Sequence, residues 1–438
     1  AIAGDRHRPQ WRETGRPLEY AVRMRQFPQR GLLSAIAARR ELTPAHVDEI
    51  ARLVAGMHAQ VECADVDSSH GRPQDVQHWV MENFAHIRPS LFDAGDLQAL
   101  DGVAAWCRQE YHARSGLIEE RRRTGYVREC HGDLHLGNLA LVGQRITPFD
   151  GIEFNPQLRW IDVISEVAFL IMDLQDRGYT GLAWRFLNGY LERTGDYAGI
   201  GLLNYFLVYR ALVRAKVAIL RLAQPGLDMA AQAAVREEYR SYMDLAGQYT
   251  AQQRPALIIT HGLSGSGKSW HAARLVEQLG AIRLRSDIER KRLFGYAADA
   301  ATGSGVQSGI YTAAASVRTY EQLARLARHG LDAGCRVLVD ATFLKRAERD
   351  RFRQLADQAG VPFMILACSA APEVLRQRIL SRQASGGDPS EAGIDVLEAQ
   401  LASLEPPAGD EQGDIVMPAP EDAESPVALV ERIAGRLG

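Results

Sequence analysis

The sequence predicts an α/β protein with two unlike halves, because its pattern of apolar residues changes at one point in the chain. Before a polar seam at residues 248–255, apolar residues recur mainly at helical spacing. After the seam, short apolar runs alternate with amphipathic helical segments, which is typical of a parallel sheet covered by helices. We therefore divide the 438 residues into a mostly helical domain at 1–250 and a sheet-containing domain at 251–438.

Composition and charge exclude several classes of protein. Hydrophobic residues make up 46% of the chain and charged residues 24%, which are the proportions of a globular protein. The formal net charge of -3 provides no whole-protein footprint for nucleic acid or an anionic membrane. Four basic residues interrupt the best apolar candidate, 200–222, so we expect no membrane span. The five cysteines form no C-x-x-C pair, and the first 12 residues lack a signal-peptide core, so we expect a cytoplasmic location.

The elements of the first half are predicted to be helices around one irregular region. Thr43 and Pro44 mark the start of a helix that runs to about residue 60, with the threonine as N-cap. Further helices are predicted at 96–123, 162–176, 181–193, 202–222 and 229–246. The irregular region at 128–154 includes a predicted hairpin formed by 139–142 and 145–148.

The second half is predicted to alternate strands and helices up to an acidic C-terminal segment. The predicted strands are 256–260, 282–284, 336–339 and 362–368, and the predicted helices are 268–279, 306–329, 346–359 and 372–382. Residues 388–431 contain twelve acids and no lysine or arginine. We expect part of this segment to be loose and solvated, followed by a closing helix at 427–437.

A phosphate-binding loop is the strongest motif. Residues 262–269 fit G-x-x-x-x-G-K-[ST] completely, and the members are Gly262, Leu263, Ser264, Gly265, Ser266, Gly267, Lys268 and Ser269. The glycines let successive backbone N–H groups point at phosphate oxygens, and the helix that follows directs its positive end at the same anion. Lys268 is expected to reach the β- and γ-phosphates of ATP, and Ser269 to offer its hydroxyl to Mg²⁺.

Four other residues are weaker candidates for this site. Asp287 follows the second predicted strand, where it could accept a proton from a substrate hydroxyl or simply cap the next helix. Asp340 ends an apolar strand and could orient Mg²⁺ or be an ordinary polar strand terminus. Arg378 and Arg382 share one helix face before a glycine-rich stretch, as in a mobile lid or a solvated basic face.

With these motifs, the second half resembles small P-loop kinases of the gluconate-kinase, zeta-toxin and polynucleotide-kinase type. The resemblance covers about 185 residues and is carried by G-L-S-G-S-G-K-S, S-D-I-E-R-K-R-L-F-G (286–295), V-L-V-D-A-T-F (337–343) and L-R-Q-R-I-L-S-R (375–382). It implies a P-loop NTPase fold that transfers the γ-phosphoryl group of ATP to a hydroxyl. The acceptor could be a small molecule, a sugar nucleotide or a nucleic-acid 5′ end.

A second phosphotransfer motif lies in the first half. Residues 131–138 read H-G-D-L-H-L-G-N, and Asp150, in F-D-G, follows twelve residues after Asn138. Asp133 could orient or deprotonate an attacking hydroxyl, while Asn138 and Asp150 could hold Mg²⁺. This stretch resembles the catalytic loop of the aminoglycoside phosphotransferase family, which implies a protein-kinase-like C-lobe. Asp162 matches an aspartate that this family keeps near its site, or it is an ordinary helix N-cap.

Lysine content bears on that resemblance, because kinase-like folds need a strand lysine in a small N-terminal lobe. The chain has four lysines, of which Lys216 is the first, and no G-x-G-x-x-G precedes the loop at 131–138. We expect most of that lobe to be absent from this chain, and 19–27 to be its last strand. Arg23 or Arg25 could replace the lysine, although solvent-facing strand residues are the simpler interpretation.

Together the two halves resemble bacterial bifunctional aminoglycoside phosphotransferase/ATP-binding proteins. The leading hypothesis is an ATP- and Mg²⁺-dependent kinase of a small-molecule hydroxyl, centred on the second half, with Asp287 as base and Arg378 and Arg382 as a lid. One alternative is a polynucleotide 5′-hydroxyl kinase, because residues 336–382 carry nine basic and five acidic residues. Another alternative is a nucleotide-sensing regulator whose first half is a noncatalytic scaffold.

Overall fold

The computed structural model describes residues 1–5, 7–12, 14–21, 27–91, 93–223, 226–251, 254–300, 302, 309–385, 392–418 and 426–437. In the first half the strands are β1 (Ile2–Asp5), β2 (Arg8–Trp11), β3 (Pro17–Glu19), β4 (Val127–Glu129), β5 (Leu139–Val142), β6 (Arg145–Pro148) and β7 (Trp160–Asp162). Its helices are α1 (Leu33–Ala38), α2 (Pro44–Gln60), α3 (Pro73–Ile87), α4 (Ala94–Arg123), α5 (Pro156–Arg159), α6 (Val163–Asp176), α7 (Thr180–Thr194), α8 (Leu203–Leu220) and α9 (Met229–Thr250).

The second half contains one five-stranded sheet and its covering helices. The strands are β8 (Ala256–His261), β9 (Ala281–Arg285), β10 (Arg336–Asp340), β11 (Phe363–Ala367) and β12 (Ile415–Val416). The helices are α10 (Lys268–Leu279), α11 (Ser286–Leu293), α12 (Ala313–Asp332), α13 (Arg346–Ala359), α14 (Pro372–Ser385), α15 (Ile394–Ser403) and α16 (Pro426–Leu437). Among the described residues, no helix combines the length and the apolar character that crossing a membrane requires.

Helix α6 is the centre of the first half. Its first twelve residues, 163–174, are all buried, which requires an apolar surface on every side of the helix. Two acidic residues interrupt that surface, Glu166 and Asp173, and both are buried. A buried carboxylate is costly unless it is hydrogen-bonded, and each of these accepts a backbone N–H from the loop at 131–138.

A buried arginine joins three segments of the first half. Arg121, near the end of α4, makes a bidentate pair with Asp162 at 2.7 and 2.9 Å and a second pair with Asp196 at 2.6 and 2.7 Å. The Asp162 carboxylate also accepts the backbone N–H of Ile164 at 2.8 Å, so its N-cap interpretation is confirmed. Arg121 is only 2% exposed, and its two carboxylate partners are what make the burial of its charge tolerable.

The central sheet of the second half is parallel, in the order β12-β11-β8-β10-β9. Side chains alternate between its two faces, as expected for strands. Leu257 and Ile259 of β8 join a cluster with α12 and α13, whereas Ile258 joins a cluster with α10 and α16. The first of these clusters continues into the helical half, where it includes Leu187 of α7. The two halves therefore share one hydrophobic core.

Helix α7 of the first half lies along β9, the edge strand of the sheet. The side-chain amide of Asn188 donates to the carbonyl of Ala281 at 2.9 Å and accepts the backbone N–H of Arg283 at 2.6 Å. One turn earlier, Trp184 packs so closely that a Cβ on Gly280 would lie 2.8 Å from its indole nitrogen. Asn188 thus satisfies strand groups that would otherwise lack a partner.

Two predicted elements differ most from the structure. The helix predicted at 306–329 begins at Ala313, where the Thr312 side chain accepts the N–H of Ala315 and caps it. The strand predicted at 19–27 includes only Glu19 among the described residues, because β3 ends there; Arg23 and Arg25 lie outside the described residues. Strands β1, β2 and β3 form a three-stranded antiparallel sheet, β2-β1-β3, that was not predicted.

The described part of the acidic C-terminal segment, 392–418, contains ordered elements that were not predicted. It contains α15 and β12, and β12 pairs in parallel with β11. Its carboxylates pair with the basic segment at 336–382, so ion pairs hold it against the sheet domain. The pairs are Lys345–Glu405, Arg346–Asp410, Arg349–Glu411, Arg353–Asp414 and Arg376–Glu398.

Candidate functional site

The predicted phosphate loop connects the buried strand β8 to α10. Gly262 has φ of 141°, and a Cβ there would lie 2.1 Å from the carbonyl oxygen of Cys368, so only glycine fits. Gly267, directly before α10, has φ of 90°, in the range that L side chains rarely adopt. The loop therefore places its backbone N–H groups next to the N-terminus of α10. Such an arrangement favours a bound phosphate, because the N–H groups and the positive end of the helix dipole both attract an anion.

Lys268 is the first residue of α10 and is 8% exposed. Its Nζ donates to the carbonyl of Leu263 at 2.7 Å, across the loop. Burial lowers the pKa of this lysine, and the carboxylates of Asp340 and Asp287 oppose the shift. This hydrogen bond keeps the ammonium group at the loop, where the motif predicts that it binds phosphate.

Ser269 and Asp340 form the oxygen-rich side of the site. The Ser269 hydroxyl donates to Asp340 Oδ1 at 3.2 Å, and the Asp340 carboxylate is almost completely buried at the end of β10. Burial would raise the pKa of Asp340, but Arg283 and Arg285 outweigh burial and hold the pKa below its usual value. A hydroxyl next to an ionised carboxylate is the type of ligand set that Mg²⁺ prefers, so these residues fit the predicted metal.

One cavity of about 550 Å³ is lined by the predicted residues of the second half except Gly262, Leu263 and Ser266. It is lined by Lys268, Ser269, Asp287, Asp340, Arg378 and Arg382, together with loop residues that include Gly265 and Gly267. Asp287 lies in the first turn of α11, whose N-cap is Arg285. The interpretation of Asp287 as the N-cap is therefore wrong, and Asp287 lines the cavity.

The two candidate lid arginines lie on α14, and both line this cavity. Arg378 Nη1 donates to the carbonyl of Gly265 in the phosphate loop at 3.4 Å. Arg382 Nη2 donates to the carbonyl of Ala392 at 2.7 Å, beyond the glycine-rich stretch. Gly386 and Gly387 themselves lie outside the described residues.

Sequence reasoning missed two residues of the site. Gln400 of α15 accepts the N–H of Ser264 at 2.9 Å, so the acidic segment contributes to the phosphate loop. Arg283 of β9 donates to Asp340 Oδ2 at 2.7 and 3.2 Å. Neither residue stands in a recognisable motif. The only signal for Arg283 was a charged residue within an otherwise apolar strand.

The loop at 131–138 is compact and well anchored. The Asn138 amide donates to both the carbonyl and Oδ2 of Asp133 at 2.9 Å, and His135 Nε2 lies 3.5 Å from the same carboxylate. Burial would raise the pKa of Asp133, but hydrogen bonding to His135, the charges of His135 and Arg210 and the Asn138 bond lower it. The structure thus brings together Asp133 and Asn138, two of the three predicted residues.

Asp150 follows the hairpin of β5 and β6, which has the predicted bounds. The preceding residue, Phe149, donates its N–H to the carbonyl of Asn138 at 3.0 Å, so the hairpin returns Asp150 to the loop. Asp150 is exposed and has φ of 61°. Its role as a metal ligand stays a prediction.

Comparisons with known proteins agree with the class that this geometry defines. Residues 257–407, about a third of the chain, match the family described as AAA domain. The second half is therefore a P-loop nucleotide-binding domain. The assignment of the loop at 262–269 as its phosphate site stays a prediction. The protein-kinase-like fold of the first half stays a prediction.

Individual relatives extend over more of the chain. An uncharacterized protein of Mycobacterium tuberculosis (strain ATCC 25618 / H37Rv) is 29% identical over 392 residues, which are 89% of this chain and 76% of that protein. A gluconokinase from Sinorhizobium meliloti 1021 is 21% identical and covers 42% of this chain and 93% of its own, with a TM-score of 0.29. A sugar kinase from Janibacter sp. HTCC2649 is 23% identical and covers 42% and 94%, with a TM-score of 0.30. The residues of the cavity, rather than these likenesses, carry the function proposed below.

Proposed function

We propose that the chain is an ATP- and Mg²⁺-dependent phosphotransferase that phosphorylates a hydroxyl group of a small molecule in the cavity of its P-loop domain. One observation carries this proposal: a single cavity is lined by most of the phosphate loop, the Ser269–Asp340 pair, Asp287 and two arginines. The cavity extends from the loop to Asp287 and to α15, so it offers an acceptor a place next to the phosphates.

Each residue has a role that follows from its position. Lys268 and the loop N–H groups would bind the phosphates, and Arg378 and Arg382 would stabilise the charge on the phosphoryl group in transfer. Asp287 would accept the proton of the acceptor hydroxyl. Ser269 and Asp340 would hold Mg²⁺, which supplies charge neutralisation between the phosphates.

The acceptor is proposed to be a small molecule rather than a polynucleotide. Five of the nine cations at 336–382 pair with carboxylates between Glu398 and Asp414. These acids neutralise the surface that would otherwise follow a phosphate backbone. The cavity of about 550 Å³ is also within the usual range for small-molecule sites.

The Lys268→Ala variant tests the proposal. We expect ATP turnover in an acceptor screen to fall at least about 100-fold, because the substitution removes a buried cation that binds the phosphates. The measurement is release of ADP from ATP with pools of polyols, sugars and amino alcohols. Lys216→Ala, a lysine substitution on α8 that does not line the cavity, is the matched control and should retain full turnover.

The source of any ATP turnover that remains in Lys268→Ala can be tested separately. If ATP were still consumed at the wild-type rate, the P-loop assignment would be wrong, and Asp133→Asn in the same background would report whether the loop at 131–138 is responsible. A polynucleotide acceptor would be indicated by phosphorylation of a 5′-hydroxyl oligonucleotide that falls steeply with salt concentration.

A further inference from the structure

One face of α7 contacts the edge of the P-loop domain at three points spaced four residues apart. Trp184 packs against Gly280, Asn188 hydrogen-bonds to β9, and Glu192 places its carboxylate beside two arginines of that strand. Glu192 Oε1 lies 4.0 Å from Arg283 Nη1, and Glu192 Oε2 lies 3.6 Å from Arg285 Nη1. A residue of the helical half thus reaches the electrostatic surroundings of the phosphate site.

Arg283 stands between two carboxylates. On one side it donates two hydrogen bonds to Asp340 Oδ2, and on the other it approaches Glu192. Its side chain is 11% exposed, that of Asp340 is 3% exposed and that of Glu192 is 15% exposed, so water screens these charges weakly. The distance of this guanidinium from Asp340 therefore determines how strongly the Asp340 carboxylate attracts a second cation.

Arg283 and Mg²⁺ would bind the same carboxylate, that of Asp340. A guanidinium bound to this carboxylate repels a second cation, and the repulsion falls when the guanidinium moves towards another acid. Glu192 is that acid, since its Oε1 lies 4.0 Å from Arg283 Nη1, whereas Nε and Nη2 of Arg283 bond to Asp340. The docking of α7 would therefore change the affinity of the P-loop site for Mg²⁺.

We propose that Glu192 of the helical half is a positioning residue for the P-loop site, which acts by drawing Arg283 away from Asp340 when Mg²⁺ and nucleotide bind. This inference rests on the proposed function only in assuming that the cavity binds ATP with Mg²⁺. It makes α7 a determinant of the affinity of the P-loop site for Mg²⁺. By reciprocity, nucleotide binding alters the contact between α7 and β9.

A double-mutant cycle tests this route. In Glu192→Gln, we expect the Mg²⁺ concentration that half-saturates ATP binding to rise about five-fold, because the carboxylate that accepts Arg283 is gone. In Arg283→Gln it should fall, because the competing cation is gone. The double variant should match Arg283→Gln alone. The readout is ATP affinity by titration calorimetry across a Mg²⁺ series and in EDTA, independent of turnover.

Glu277→Gln is the matched control, because Glu277 of α10 pairs with Arg185 of α7 at 2.7 Å in the same interface. It should leave the Mg²⁺ dependence unchanged. In wild type, hydrogen exchange of residues 184–192 should differ between ATP with Mg²⁺ and ATP with EDTA, and this difference should be absent in Arg283→Gln.

The outcomes separate the inference from the proposed function. If ATP does not bind to wild type, the proposed function fails. If ATP and Mg²⁺ bind but Glu192→Gln behaves like Glu277→Gln, the inference is overturned. The inference would also be overturned if Glu192→Gln changed the Mg²⁺ dependence equally in wild type and in the Arg283→Gln background. Glu192 would then act through the electrostatic field of its charge and not through Arg283.

Discussion

Replacing Asp287 by asparagine should lower the rate of phosphoryl transfer about 10²–10⁴-fold, the usual contribution of a general base. Asn is nearly isosteric but cannot accept the hydroxyl proton. Asp287 lies in the first turn of α11, on the wall of the cavity that also contains Lys268. Because Asp287 is not part of the phosphate loop, ATP affinity should stay within about two-fold of wild type.

The measurement is kcat with the acceptor found in the screen, together with ATP affinity by calorimetry. Asp332→Asn is a suitable control, because this residue ends α12 in an exposed ion pair with Arg328 and should retain wild-type kcat. A full rate in Asp287→Asn would remove this residue from the mechanism and leave the attacking hydroxyl without a base.

Replacing Arg121 by methionine should lower the free energy of unfolding by about 3–5 kcal/mol, the range for removing one partner of a buried ion pair. The variant leaves Asp162 and Asp196, each at most 6% exposed, facing each other without a cation. Methionine is close to arginine in length, so the effect comes mainly from the missing charge and hydrogen bonds. Urea unfolding followed by circular dichroism measures it.

Arg114→Met on the same helix α4 is the matched control. Arg114 pairs with Glu110 at 2.8 Å, but its side chain is 31% exposed, and partly exposed pairs at this spacing contribute less than about 1 kcal/mol. Equal losses in the two variants would mean that the pairs of Arg121 add nothing beyond helix packing.

Local signals in the sequence were enough for much of the fold. Pro44 after Thr43 marks the start of α2, and the hairpin of β5 and β6 has its predicted bounds. The apolar runs predicted as strands correspond to β8, β9, β10 and β11. Each of these signals depends on neighbours a few residues apart, which a single sequence contains in full.

Contacts between distant segments could not be predicted in this way. Gln400 reaches Ser264 across 136 residues, and Asn188 reaches Arg283 across 95. Such contacts depend on how whole elements pack, and polar side chains without a motif carry no sign of their partner. The acidic segment illustrates this: its composition indicated a partly loose, solvated chain, whereas five basic side chains pair with its carboxylates between Glu398 and Asp414.

Removing α7 would expose the outer edge of strand β9 to solvent. Its outer edge is covered by Asn188 and Trp184, and Leu284 belongs to the core shared with α7. A fragment of residues 251–438 would expose this edge as a template for pairing with other chains. We expect the fragment to aggregate at concentrations where the full chain stays monodisperse in light scattering. A shortened chain meant to isolate nucleotide binding should therefore keep α7.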